Sequence, residues 1–136
     1  MSHDYTRDRI ELQDVMLNYV AAVDERDIER YKACFADDVE AVGFGSQTYR
    51  GREPWIDYVW NALRKYSASQ HLLGPQFATI EGDEAHTRSS VQALHVLADG
   101  GTRLILWGTY HTNMRRIDGR WMISRHQLVV CGTSTD

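Results

Sequence analysis

Three turn signals limit what the C-terminal half of this chain can become. Glu81-Gly82-Asp83-Glu84, Asp99-Gly100-Gly101 and Asp118-Gly119 combine glycine with small acids, which is hairpin chemistry. They separate four β-prone runs: Gln70 to Ile80, Ala85 to Ala98, Thr102 to Ile117 and Arg120 to Cys131. Long runs joined by tight turns predict an antiparallel meander.

The N-terminal half has the other period. Ile10, Leu12, Val15, Met16, Tyr19, Val20 and Val23 recur at steps of three and four, predicting a helix capped by Asp4 or Thr6, with Met1 to Arg7 fraying. Asp27 caps a second helix carrying Ile28, Tyr31, Cys34 and Phe35 and ending at Asp37-Asp38. Val39 to Phe44 is β-prone, Gly43, Gly45 and Ser46 mark a turn, and Gln47 to Arg50 is a short strand. Gly51-Arg52-Glu53-Pro54 opens a third helix, striped by Trp55, Ile56, Val59, Trp60 and Leu63 and ending near Lys65-Tyr66. The order predicts an α+β fold: a cone-shaped barrel of three N-terminal helices packed in a strongly curved, mostly antiparallel sheet. At 136 residues the expectation is a single domain over 1–136. A cone has a mouth, so a pocket is expected.

Composition removes several classes of function. With 43% hydrophobic and 25% charged residues the chain is neither disordered nor fibrous, and a net charge of −4 gives no footprint for nucleic acid or an anionic membrane. No apolar run nears the roughly 20 residues that span a bilayer, and a secretory core is missing, so a cytoplasmic protein is expected. Cys34 and Cys131 lie far apart and read as reduced, packed thiols. The six histidines show no His-x-x-x-His spacing. Phosphate cradles and the esterase elbow are also missing, and neither a metal nor a cofactor is expected.

What remains is a few polar residues in apolar surroundings. Asp24 follows Val20 by four residues and Met16 by eight, on the side of the first helix that faces inward. The helix C-terminus disfavours its charge and is expected to make it readier to hold a proton. His71 opens an apolar stretch, and His95 shares a face with Val91, Ala93 and Leu97. An imidazole beside a carboxylate is a general base of fixed tautomer. Each residue also has an ordinary reading: Asp24 as a cap, the histidines as backbone-satisfied core groups, Tyr19 as a core aromatic. Arg125 alternates onto the face of Trp121 and Ile123, either as an inward anion clamp or as an edge charge.

Tyr19-Val-Ala-Ala-Val-Asp24-Glu-Arg-Asp27, Cys34-Phe35-Ala36-Asp37-Asp38-Val39, Tyr49-Arg50-Gly51-Arg52-Glu53, Gln70-His71-Leu72-Leu73-Gly74 and Arg116-Ile117-Asp118-Gly119-Arg120-Trp121 occur in that order. Together they resemble the SnoaL-like branch of the nuclear transport factor 2-like superfamily, over about Arg9 to Val130. Within it the pattern is most similar to scytalone dehydratase, the bile-acid dehydratases and hexachlorocyclohexane dehydrochlorinase, which pair a helix-end Asp with a His on the sheet. The resemblance implies that Asp24 and His71 are that pair. Tyr19 looks like the tyrosine of the bile-acid dehydratases, and His95 like the second histidine of scytalone dehydratase. Val23 and Gly43 stand where scytalone dehydratase has tyrosines, so its water-holding pair is missing here.

The leading expectation is a cofactor-free, dehydratase-like lyase or isomerase acting on a small, apolar, cyclic or polyketide- or steroid-like substrate. His71 would take the proton, Asp24 would orient it, and Tyr19 or His95 would donate to the developing oxyanion or departing hydroxide. Arg125, Trp107, Phe44 and Trp60 are the candidate substrate-binding residues. The alternatives are a non-catalytic small-molecule binder and a structural subunit similar to the small subunit of ring-hydroxylating dioxygenases. Leu104, Leu106, Trp107, Tyr110 and Met114 offer more apolar surface than the helices can cover, so a homodimer is expected, with a trimer as the alternative.

Overall fold

A computed structural model describes residues 4–136; Met1 to His3, and with them part of the frayed segment anticipated above, lie outside the described residues. Helix α1 runs Tyr5–Glu25 and α2 Ile28–Lys32; strands β1 Phe35–Val42 and β2 Tyr49–Arg50 follow, then α3 Arg52–Leu63. The rest is strand: β3 Tyr66–Leu73, β4 Phe77–Glu81, β5 Glu84–Leu97, β6 Arg103–Ile117 and β7 Arg120–Thr135. One curved, unclosed sheet has the order β2-β1-β7-β6-β5-β3, with β4 also on β5. Among the described residues only β1 with β7 is parallel. The helices cover one face, as the cone-shaped α+β expectation required.

Local chemistry explains the boundaries. Asp4 caps α1 by accepting from the N–H groups of Thr6 and Arg7, so helix begins where fraying was expected. Asp27 caps α2 in the same way through Arg30. The hairpin between β6 and β7 turns on Asp118 and Gly119, both at positive φ, the type I′ geometry that matches strand twist.

Several boundaries move by a few residues, and two stretches differ in kind from the sequence reading. The second helix stops at Lys32, and Cys34 to Asp38 leads into β1 instead of closing a helix. Ile123 N–H donates to the Cys34 carbonyl at 2.8 Å and Phe35 pairs with Ile123, so sheet pairing and burial of Phe35 override the helical spacing. The expected run Gln70 to Ile80 is two strands, broken at Gly74-Pro75-Gln76. Pro75 has no N–H for the ladder, and both pieces pair with β5 on either side of the break.

Leu12, Met16, Phe35, Val39, Trp55, Ile56 and Ile123 form the heart of the core. Buried Asp8 locks α1 to the last hairpin, accepting from the Arg116 guanidinium at 3.0 and 3.2 Å, while that guanidinium stacks on Trp121. Cys34 is buried, which pushes its thiol up to about 11; Cys131 is exposed rather than packed. No described helix is long and apolar enough to cross a membrane.

A histidine and carboxylate beside an aromatic cavity

Helix α1 ends beside β3, and that meeting builds the first part of the site. Asp24 accepts three hydrogen bonds from β3: from the Ser69 hydroxyl at 2.9 Å, the His71 backbone N–H at 2.8 Å, and His71 Nδ1 at 2.8 Å. A carboxylate can only accept, so Nδ1 carries the hydrogen, and in the neutral ring Nε2 keeps a lone pair. Burial raises the Asp24 pKa, but the bonds from His71 and Ser69 outweigh it and hold the carboxyl below its ordinary range. The helix-end expectation of a readier proton on Asp24 is therefore reversed, because three donors within one turn of strand are stronger than a terminal dipole.

Arg26 supports this corner from behind. It caps α1 in the left-handed region at φ 59°, and its guanidinium donates to the Val23 carbonyl and to Ser69 Oγ. The side chains of Asp24 and His71 are 20% and 9% exposed. An outer groove between α1 and β3, lined by Leu17, Val20, Gln70 and Leu72, reaches both residues, and His71 also borders the interior cavity.

That cavity is about 270 Å³. Tyr19, Phe44, Trp55, Tyr66, Tyr110 and His95 line it with aliphatic residues of α3 and the inner sheet face, and no Lys, Arg, Asp or Glu does. His95 lies edge-on to His71, ring centroids 5.7 Å apart. Burial, then the neighbouring His71, lowers its pKa, and its buried Nδ1 has no partner.

Against the Tyr19, Phe44 and Tyr110 rings of that lining lie residues that sequence reasoning missed. His126 is fully buried between Thr112 and Tyr19: Nδ1 is 2.9 Å from Thr112 Oγ1, and Nε2 is 2.9 Å from the Tyr19 hydroxyl. Burial pushes His126 down to about 3, and Tyr19 is raised well above 10 by burial and then by neighbouring Tyr110 and Tyr31. Both are neutral near pH 7.

The reason His126 was missed is a β-bulge. Asn113 pairs with Arg125 and Met114 with Ile123, so Ser124 is an extra residue in β7. The alternation resets there: Trp121 and Ile123 point inward, and after the bulge His126 does, across from Thr112. Arg125, placed by strict alternation with Trp121 and Ile123, instead points outward to Glu40 at 3.2 Å and Gln127 at 3.3 Å and does not line the cavity. Nor do the other tryptophans named for substrate binding. Trp107 is outward, opposite Gln92 and Gly132, and Trp60 packs on Tyr31 outside the cavity lining. Phe44 lines it. Leu104, Leu106 and Tyr110, counted above as surplus surface, line it too.

Gly43 has φ 86°, and a Cβ there would fall 2.1 Å from the Leu128 carbonyl oxygen, so the position is closed to a tyrosine. Among the described residues no cluster of three His, Cys, Asp or Glu side chains could hold a metal.

Against known proteins, residues 4–127 match the SnoaL-like domain. Hexachlorocyclohexane dehydrochlorinase 1 of Sphingobium indicum is 26% identical over 124 residues, 90% of this chain and 80% of that protein. Among solved structures, a type 2 hexachlorocyclohexane dehydrochlorinase superposes with TM-score 0.89 at 23% identity, covering 96% of this chain and 90% of that one. A candidate scytalone dehydratase from Novosphingobium aromaticivorans gives 0.89 at 22%, covering 95% and 87%. At such identities the superpositions establish the fold, and with the family match over nearly the whole length they show that the chain belongs to the SnoaL-like family.

Proposed function

We propose that the protein is a dehydratase-like lyase or isomerase that moves a proton on a small, uncharged cyclic molecule, with His71 as base and Asp24 as its partner. The observation that carries this reading is the 2.8 Å Asp24–His71 hydrogen bond on the wall of a cavity without charged side chains. Asp24 occupies Nδ1–H and leaves the Nε2 lone pair free to take a proton from a carbon next to a carbonyl, and the carboxylate stabilises the imidazolium that forms. In an elimination the C–H electrons become the new double bond as the leaving group departs with its own pair. A departing hydroxide recovers the proton from His71 and leaves as water. His95 and Tyr110, on the same cavity, are the groups near enough to hydrogen-bond the oxygen on which charge develops. Similarity to a dehydrochlorinase supports elimination as the reaction class. Trp107 and Val129 remain exposed on the outer sheet face, where the homodimer would form; sedimentation velocity counts the copies.

The test follows proton abstraction alone. In D₂O the protein should exchange the hydrogens beside the carbonyl of 1-tetralone, followed by NMR, and His71→Ala should lower the rate about 10²- to 10⁴-fold. Exchange no faster than buffer, or unchanged in His71→Ala, overturns the reading and favours a binding protein.

A further inference from the structure

The corner behind Asp24 carries an inference about how the base is set. Arg26 sits one residue past α1 in the left-handed region at φ 59°, a conformation that glycine adopts freely and a bulky side chain resists. The helix end asks nothing of the side chain, because the Arg26 backbone N–H donates to the Ala22 and Val23 carbonyls whatever residue carries it. The guanidinium is nevertheless turned inward. Nη1 donates to the Val23 carbonyl and, at 2.9 Å, to Ser69 Oγ, and Nη2 is buried without a hydrogen-bond partner among the described residues. A strained backbone that holds a half-satisfied buried cation calls for a compensating role.

Ser69 has one hydroxyl hydrogen to give. Arg26 occupies a lone pair of Oγ, and the hydrogen goes to Asp24 Oδ1 at 2.9 Å. The same Oδ1 accepts from His71 Nδ1 at 2.8 Å, while Oδ2 takes the His71 backbone N–H. Ser69 and the imidazole therefore draw on one oxygen, and each weakens its pull on the other. We propose that Arg26 is a positioning residue that, through Ser69 and by its own charge, moderates the hold of Asp24 on His71. His71 is then free as a base at a lower pH than the bare pair would allow, and returns its acquired proton more readily. This rests on His71 being the base. The other groups around His71 are differently placed. Burial, then His71 itself, pushes His95 of β5 down, and burial pushes Tyr110 of β6 and Tyr19 of α1 up, all toward neutral forms. Across the outer groove lie Asp14, Glu25 and Arg30, and Arg30 is held by Asn18 and Glu25.

The test is Arg26→Gly, because glycine suits the backbone there while the cation is removed. The variant should keep the near-UV circular dichroism of the parent. Its exchange of 1-tetralone hydrogens, measured against pH, should show the acid limb moved up by about one unit, which is about tenfold slower exchange below the limb. Arg26→Lys keeps the charge and should bring the limb most of the way back. Ser69→Ala should move the limb the same way by less, and the double variant should fall short of the sum of the two. An unmoved limb overturns the proposal, as does strict additivity, a limb that Arg26→Lys leaves as far displaced, or uniform slowing at every pH, which is what a purely structural role would give. The His71 imidazole, followed by nitrogen-15 NMR, gives a reading that needs no turnover. Its titration should rise in Arg26→Gly by about the same amount as the limb, and an unmoved titration overturns the proposal. A protein that exchanges nothing while this titration moves refutes the His71 base and supports the coupling to Arg26.

Discussion

His71 borders the cavity and His126 lies buried against the Tyr19, Phe44 and Tyr110 rings that line it, each hydrogen-bonded through its ring, and yet their surroundings fit them for opposite tasks. His71 has a carboxylate on one nitrogen and an outer groove within reach, so a positive charge on it is compensated and its proton has a way out. His126 has hydroxyls on both nitrogens and no exposure, so a proton on it would sit uncompensated in an apolar interior. The partner, not the imidazole, decides which histidine can carry a charge and which stays neutral.

The sharpest way to break this contrast is Asp24→Asn. Removing the carboxylate makes His71 resemble His126, and exchange activity should fall about 10²- to 10⁴-fold while near-UV circular dichroism is retained. Retained activity would mean that the carboxylate is dispensable.

Acid stability separates the two regions next. The folded-state pKa of His126 lies below its unfolded value, so the unfolded chain binds the extra proton, and stability is lost as pH falls from about 6.5 toward 3. Between pH 7 and 5 this one group should cost about 2 kcal/mol in urea unfolding, and His126→Phe should flatten that part of the profile. Asp24 is also depressed, but from a carboxylate value, so its contribution is present above pH 4 and lost only below it. Ser69→Ala is the smallest change, removing one donor to Asp24 at about 1 kcal/mol and slowing exchange several-fold.

How far the sequence could be read follows the same division. The meander was legible because glycines and acids at Gly82, Gly100 and Gly119 sit between β-prone runs, and α1 because its apolar residues keep helical spacing. Asp24 stood out as a carboxylate on that apolar side, and the structure puts it against His71. Ser69 could have been found, since it lies two residues before His71 on the same strand face. His126 could not. Its inward aim depends on Ser124 opposing no residue of β6, and a bulge changes register without leaving a glycine or proline to mark it. Cys34 to Asp38 was misread for a related reason: pairing with β7, a partner about 90 residues away in the chain, decided its conformation.

The extra residue at Ser124 makes the inner face of β7 a matter of register. Deleting it would remove the bulge and leave Arg125 outward and His126 inward, whereas pairing Ser124 with Asn113 would bring Arg125 opposite Thr112 and carry a fixed cation to the place His126 now holds. That cation would sit among the Tyr19, Phe44 and Tyr110 rings with no carboxylate beside it, so the bulge keeps the wall behind the cavity neutral.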